Sequence, residues 1–501
     1  MRVLFAASEI YPLAKTGGLA DVGAALPVAL AERGVDVRLI LPAYPEALEA
    51  AANKSVHVKF EDAVAGTTRL ITARMPDSGL PVWLVDTPLL FNRRGLYQDQ
   101  NGIDWADNAE RFAHLSRIAA GIGLGRLALE WRPDVVHAND WHLGLLPAFL
   151  HTAQAPRPAT LFTIHNLAYQ GLFPTSVFPK LGLPSNFLSV DGLEFYGKVS
   201  FLKAGICFSD HMTTVSRTYA HEVTTQEFGC GLEGLLRRRK RALSGILNGI
   251  DGRIWDPSGD PHLAAPFGRQ HLAGKSVCKA ALQRELGLAP ASDLPLVVYV
   301  SRLTEQKMAD LVLKSVPDIM RRQVQMAILG EGDAGLERQF IDLAQLYPGQ
   351  FAAYIGYEEP LAHRFHAGAD ILLHPSRFEP CGLTPLYALR YGAVPVVRGV
   401  GGLVDTVIDA TDEKLRRGTA NGVVFEEVSP VAMLAALDRA LALYAQPILW
   451  RRLQSFGMSQ DFGWNASARH YSNLYRKLVP DAEPTPATLD RRGSWHRCAE
   501  A

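Results

Sequence analysis

Short apolar runs alternate with helix-period segments along the whole chain, at residues 35–41, 82–85, 135–137 and 160–164 and again at 296–300, 325–329, 370–373 and 394–397. Runs this apolar suit strands buried on both faces, and the intervening helical patterns supply the crossovers that parallel strands need. The pattern predicts an α/β fold with parallel sheets covered by helices. A chain of 501 residues exceeds one ordinary core of about 100 to 200 residues. The break at Asn248-Gly249-Ile250-Asp251, followed by a Pro- and Gly-containing loop to about Gly268, is the expected domain boundary. Two domains follow, 1–247 and 248–460, with the ligand cleft expected between them.

The first apolar run, 2–7, leads into Lys15-Thr16-Gly17-Gly18-Leu19-Ala20-Asp21 and then a helical pattern over 19–33 that stops at Gly34. Adjacent glycines at a helix N-terminus leave backbone N–H groups free for a diphosphate, and Lys15 adds a mobile cation. A single glycine pair more often only relieves crowding in a tight turn. A second pair, Gly401-Gly402 with Leu403-Val404-Asp405, follows the run 393–397 in the other half. Neither copy has the G-x-G-x-x-G spacing or the ribose-binding acid of a dinucleotide site, which disfavours a nicotinamide enzyme.

Lys plus Arg equals Asp plus Glu at 51 each, so no overall field draws the chain to nucleic acid or an anionic membrane. The basic run Arg237 to Arg241 reads as a solvated helix face, with an anion contact as the alternative. The cysteines at 207, 230, 278, 381 and 498 show neither disulfide nor metal spacing, and the chain opens on a strand pattern, so a reduced, cytoplasmic protein is expected. No apolar run approaches the roughly 20 residues of a bilayer span. Residues 464–478 read as a closing amphipathic helix, and 479–501 as a disordered tail.

Taken together the motifs resemble the starch and glycogen synthase family. They are the lysine-glycine turn at 15–21, Asn-Asp-Trp-His at 139–142, Ile-His-Asn-Leu-Ala-Tyr-Gln-Gly at 164–171, and Gly-Leu-Glu-Gly at 231–234. Gly-Ile-Leu-Asn-Gly-Ile-Asp at 245–251, Ser-Arg-Leu-Thr-Glu-Gln-Lys at 301–307 and Pro-Ser-Arg-Phe-Glu-Pro-Cys-Gly-Leu-Thr at 375–384 complete the series. The resemblance implies a GT-B fold, two Rossmann-like domains whose parallel sheets face a central cleft. It implies an acceptor domain over 1–247, a nucleotide-sugar domain over 248–460, and a helix within 461–478 that crosses back to the first. It also implies glucose transfer from ADP-glucose to an α-1,4-glucan such as glycogen, with retention, and no metal or other cofactor. A UDP-glucose-dependent transferase and a catalytically silent glucan-binding protein are the alternatives, and the oligomeric state stays open.

Breaking a glucosyl–phosphate bond puts charge on the departing diphosphate, which fixed cations must meet. Arg302 and Lys307 follow the run 296–300 and match the family's diphosphate pair, and Lys15 is expected to complete the clamp from the opposite domain. Amides at Gly17 and Gly18 and in Gly382, Leu383 and Thr384 would assist. Glu379 matches the carboxylate beside the donor glucose, with helix capping as its alternative role. His165 matches the histidine that holds the sugar's primary hydroxyl, with core packing as the alternative. Asn248 is expected at the donor sugar or the hinge, Tyr357 at the adenine or in packing. Cys381 in the donor loop is not needed as a nucleophile, yet could make the protein sensitive to thiol reagents. Tyr97, Asp140 and Trp141 are acceptor-side candidates, with packing almost as good a reading. Retaining glycosidases use a second carboxylate as nucleophile. Asp140 resembles an acceptor-side group instead, so same-face attack is preferred. Met308-Ala309, Val400 and the tail after Leu478 depart from the pattern the resemblance implies, and Tyr387 stands where many related retaining transferases carry a second glutamate but bacterial glycogen synthases commonly have an aromatic.

Overall fold

The computed structural model describes residues 1–62, 65–153 and 156–480. The tail read as disordered lies, from 481 onward, outside the described residues. The chain forms two compact units. The first holds Met1–Val215, Ala220–Ile246 and the C-terminal segment from Trp464; the second holds Leu247–Gly463 together with the short stretch Ser216–Tyr219.

The first unit is built on nine strands in the order Leu243–Gly245, His211–Thr214, Ala159–Ile164, Val135–Asn139, Arg2–Ala6, Asp36–Pro42, Pro81–Asp86, Gly66–Arg74 and Ala52–Asp62. The first seven run parallel, and the last two add an antiparallel hairpin at the edge. That hairpin departs from the all-parallel expectation for a physical reason. Ala52–Asp62 is mostly exposed and alternates polar with apolar residues, as an antiparallel edge strand wetted on one face can. It therefore has no continuous apolar run.

The closing helix Trp464–Leu478 packs on the helix Gly18–Ala31. The hydroxyl of the buried Tyr475 shares a 2.8 Å hydrogen bond with His137 Nδ1, whose Nε2 lies 2.6 Å from Thr163 Oγ1. The helix is thus tied to two central strands through one buried ring.

The second unit carries six parallel strands in the order Phe351–Ile355, Gln325–Gly330, Leu296–Val300, Ile371–His374, Val394–Arg398 and Val423–Phe425. Numbered along the chain, that order is 3-2-1-4-5-6, the doubly wound arrangement. Leu296–Val300 buries every residue, sending Val297 and Tyr299 into one helical layer and Leu296, Val298 and Val300 into the other. Such a sheet opens a crevice beyond the strand C-termini where the order reverses, here between Leu296–Val300 and Ile371–His374. In the first unit the reversal lies between Arg2–Ala6 and Val135–Asn139. Among the described residues no single helix is long and apolar enough to cross a membrane.

Candidate active site

In the second unit the two loops at the reversal point carry Arg302 and Lys307 on one side and Glu379 on the other. Lys307 Nζ, partly exposed, forms an ion pair with Oε2 of the buried Glu379. The same oxygen accepts from Ser376 Oγ at 3.0 Å and from His374 Nε2 at 3.2 Å. Burial alone would raise the Glu379 pKa, but Lys307 and the His374 hydrogen bond outweigh it and hold the carboxyl well below its usual range. Three donors on Oε2 leave Oε1 without a protein partner among the described residues. Arg302 is exposed, its guanidinium 3.3 Å from Gln306 Oε1. Met308, at the position where the resemblance implies glycine, is fully buried and left-handed at φ 54°, the region glycine enters most cheaply.

The loop after Glu379 is shaped by close backbone approach. Gly382 sits at φ +86° at the head of the helix Leu383–Arg390, where a Cβ would lie 2.7 Å from Leu403 Cδ2. A Cβ on Gly402 would lie 2.2 Å from the Cys381 carbonyl oxygen, and the Gly402 N–H donates to the Glu379 carbonyl at 3.0 Å. The second glycine pair therefore secures the Glu379 loop, and its Gly402 amide is not left open for a ligand. Leu383 and Thr384 form the first turn of their helix. Cys381 is buried and its thiol is pushed up to about 12 by burial, which works against reaction with thiol reagents. The Asn248 backbone N–H reaches that thiol, and the Asn248 Oδ1 is buried without a protein partner. Tyr357, just past Phe351–Ile355, is 49% exposed. Tyr387 stacks on Trp255 at 3.7 Å, whose ring also stacks with His363 at 3.8 Å, so Tyr387 belongs to a packed aromatic stack.

In the first unit, Lys15 Nζ pairs with Asp21 Oδ1 at 2.8 Å and stands 5.1 Å over the Tyr11 ring. The buried Glu9 carboxylate accepts from the Thr16 amide, from the Gly17 amide at 3.2 Å and from Thr16 Oγ1. Two of the turn's amides are thus engaged by an internal acid, contrary to the reading that left them free; Gly18 and Leu19 open the helix behind them. Tyr97 donates to Glu9 Oε1 at 3.2 Å and lies 2.7 Å from Ser8 Oγ. Its ring stacks on His142 at 4.4 Å, and His142 stacks on Trp141 at 3.9 Å. Trp141 also meets Phe112 edge-on, and a Cβ on Gly171 would lie 2.4 Å from the indole. The ring is wedged, as its packing alternative required.

Asp140, directly after Val135–Asn139, is buried in a sparsely populated conformation, φ 57° and ψ −179°. Its Oδ1 accepts from the amides of His165 at 3.1 Å and Asn166 at 3.4 Å, yet burial still pushes its pKa up to about 7. Burial pushes His165 down to about 3, so the ring is neutral near pH 7. The tautomer follows from its neighbour. Asn139 Nδ2 donates to the Ala6 carbonyl at 3.0 Å, which turns Asn139 Oδ1 toward His165 Nε2 at 3.0 Å. His165 therefore donates from Nε2 and presents Nδ1 as an acceptor.

Sequence reasoning missed Glu9, His374, Ser376 and His142. Among the described residues no group of three or more His, Cys, Asp or Glu is placed to hold a metal ion.

Residues 2–238 match the family model described as starch synthase catalytic domain, and residues 287–452 match glycosyl transferases group 1. The chain is 52% identical over 483 residues to a glycogen synthase of Paramagnetospirillum magneticum, covering 96% of this chain and 98% of that one. It is 50% identical over 480 residues to glycogen synthase 1 of Methylococcus capsulatus, covering 96% and 97%. The catalytic domain of starch synthase IV from Arabidopsis thaliana, solved bound to ADP and acarbose, superposes with a TM-score of 0.87 at 33% identity, covering 96% of this chain and 99% of that one.

Proposed function

The chain belongs to the glycogen synthase family of glycosyltransferases, with the GT-B fold, and from that premise we propose that it transfers glucose from ADP-glucose to the non-reducing end of an α-1,4-glucan with retention of configuration. The observation that carries the proposal is the ion pair of Lys307 with the buried Glu379 at the reversal point of the second sheet. Lys307 and Arg302 receive the diphosphate, with the amides of Leu383 and Thr384 adding the positive end of their helix. The bond from glucose C1 to the phosphate oxygen breaks with its electron pair leaving on ADP. The held-down Glu379 carboxylate favours the positive charge that then grows on the ring.

An acceptor hydroxyl attacks C1 from the same face and gives its proton to the departing phosphate. Asp140 does not suit the role of covalent nucleophile, because its Oδ1 is held by hydrogen bonds from the His165 and Asn166 amides and burial disfavours its charged form. It serves instead to orient a glucan hydroxyl, and neutral His165 accepts from a sugar hydroxyl through Nδ1. The orphaned Asn248 Oδ1 suits a sugar hydroxyl of the donor, and exposed Tyr357 the adenine. ADP in the starch synthase IV neighbour supports the adenine nucleotide as donor. The protein's own cations serve the leaving group, so activity should persist in EDTA. Four free thiols among the described residues support a reduced, cytoplasmic setting.

The test is incorporation of labelled glucose into glycogen from ADP-glucose and UDP-glucose, by the wild type, Glu379→Ala and Lys307→Ala. Incorporation from ADP-glucose that both substitutions abolish supports the proposal. Incorporation only from UDP-glucose overturns the donor assignment, and none from either overturns the activity.

A further inference from the structure

Three segments far apart in sequence bring five arginines to one concave patch of the second unit. Arg269 comes from the turn at 268–271, Arg416 and Arg417 from the end of the helix Asp412–Arg417, and Arg451 and Arg452 from the helix Pro447–Ser459. Two adjoining hollows of about 480 and 370 Å³ share Arg269, Arg452 and Ser455 in their walls, and no carboxylate lines either.

Five arginines elsewhere in the unit are held by acids. Arg322 pairs with Asp438, Arg364 with Glu285, Arg377 with Asp310, Arg390 with Asp256 and Arg439 with Asp409. In the cleft only Arg417 has an acid, Glu413 at 3.0 Å. Arg269, Arg416, Arg451 and Arg452 have no carboxylate within ion-pair distance among the described residues. Two of them are held in place nonetheless. Arg269 Nε donates to Ser455 Oγ at 3.1 Å, and Arg451 donates to the Arg269 carbonyl at 3.0 Å. Helix-end arginines gain something from the dipole, which accounts for Arg416 and Arg417 but not for Arg451 and Arg452 in mid-helix or Arg269 in a turn. Gathering like charges costs Coulomb energy that a bound polyanion reverses, and the guanidinium fork matches phosphate oxygens.

We propose that this cleft binds a phosphorylated small molecule, a nucleotide or a sugar phosphate, at a site distinct from the Lys307–Glu379 centre. The larger hollow falls within the usual range of small-molecule sites, roughly 300–1,000 Å³. No aromatic ring lines the larger hollow, Phe456 alone lines the smaller, and the chain as a whole carries no net charge, so a stacked single strand or a long nucleic acid is a poor fit. The helix that carries Arg451 and Arg452 is tied to the far end of the helix that follows the donor loop. Gln454 Nε2 donates to the Gly392 carbonyl at 2.8 Å, just past the C-terminal end of Leu383–Arg390, whereas that helix's N-terminal turn follows the Glu379 loop.

The experiment is calorimetric titration of the full chain with ATP, fructose 1,6-bisphosphate and pyrophosphate, on the Lys307→Ala background so that the donor centre contributes little. At least one of the three should bind, and Arg416→Gln with Arg452→Gln should weaken it tenfold or more while glucose incorporation in the otherwise wild-type chain stays at its basal rate. Arg452→Lys, which keeps the charge and loses the fork, should fall between and serves as the reading if the double variant folds poorly. Tighter binding of ATP assigns a nucleotide, and of the bisphosphate a sugar phosphate. No binding by any of the three, undiminished binding by the arginine variants, or stronger binding of a single-stranded oligonucleotide overturns the proposal.

Discussion

Glu379 holds its place through one oxygen, and that single fact makes two separable predictions. Its depressed pKa means the folded chain keeps the carboxylate charged where the unfolded chain begins to protonate. The stabilisation is complete above the ordinary value of about 4.5 and is lost as pH falls toward the folded value. Denaturant unfolding should therefore show the wild type more stable than Glu379→Gln at pH 7, by up to about 3–5 kcal/mol if the mostly buried Lys307 is left unpaired. The margin should narrow steadily below pH 4.5; a constant margin would mean that the charge is not what holds the pair. His374→Val removes one of the three donors and should lower kcat about tenfold, the worth of one hydrogen bond to a charged group, with KM for ADP-glucose little changed. His374→Gln should restore part of it. A purely structural role would instead move stability and leave kcat alone. Lys307 and Glu379 were readable as charged residues just past apolar runs. His374 was not, because as the last residue of Ile371–His374 it looks like one more strand position, and no spacing shows its ring turning toward Glu379.

At the scale of elements, the parallel strands were legible wherever burial on both faces left a continuous apolar run, as in Leu296–Val300. The edge hairpin of Ala52–Asp62 and Gly66–Arg74 was not, since one wet face dilutes the apolar signal to every second residue. The turn at Lys15–Gly18 was legible as a glycine-opened helix, but not as a turn whose Thr16 and Gly17 amides belong to Glu9. An acid seven or eight residues upstream gives no local sign that it will fold back. Helix Trp464–Leu478 was legible from its amphipathic period, while its anchor was hidden in sequence distance: Tyr475 and His137 lie 338 residues apart. Tyr475→Phe keeps the ring and strands His137 Nδ1 in a buried site, so urea unfolding of this variant should show a loss of about 1–3 kcal/mol. An unchanged midpoint would mean that the ring packing alone secures the helix.

For the whole molecule, two Rossmann-like units with separate reversal points carry separate kinds of side chain. The second gathers cations beside one held-down carboxylate. The first gathers a neutral histidine, an acid near its protonation midpoint and a ladder of rings from Tyr97 through His142 to Trp141. That division suits a phosphate-bearing donor held mainly by the second unit and an uncharged glucan held mainly by the first, with Lys15 and His165 the first unit's expected donor-side exceptions. Ligands that bind only the folded chain raise its stability by about 2.7 kcal/mol at a hundredfold excess over Kd. ADP and a linear maltooligosaccharide should therefore each raise the Tm of the wild type. Lys307→Ala should remove most of the ADP shift and leave the oligosaccharide shift intact, whereas Asp140→Ala should do the reverse. If either substitution abolished both shifts at an unchanged starting Tm, the two ligand sites would share their determinants, and the assignment of donor and acceptor to different units would have to be given up.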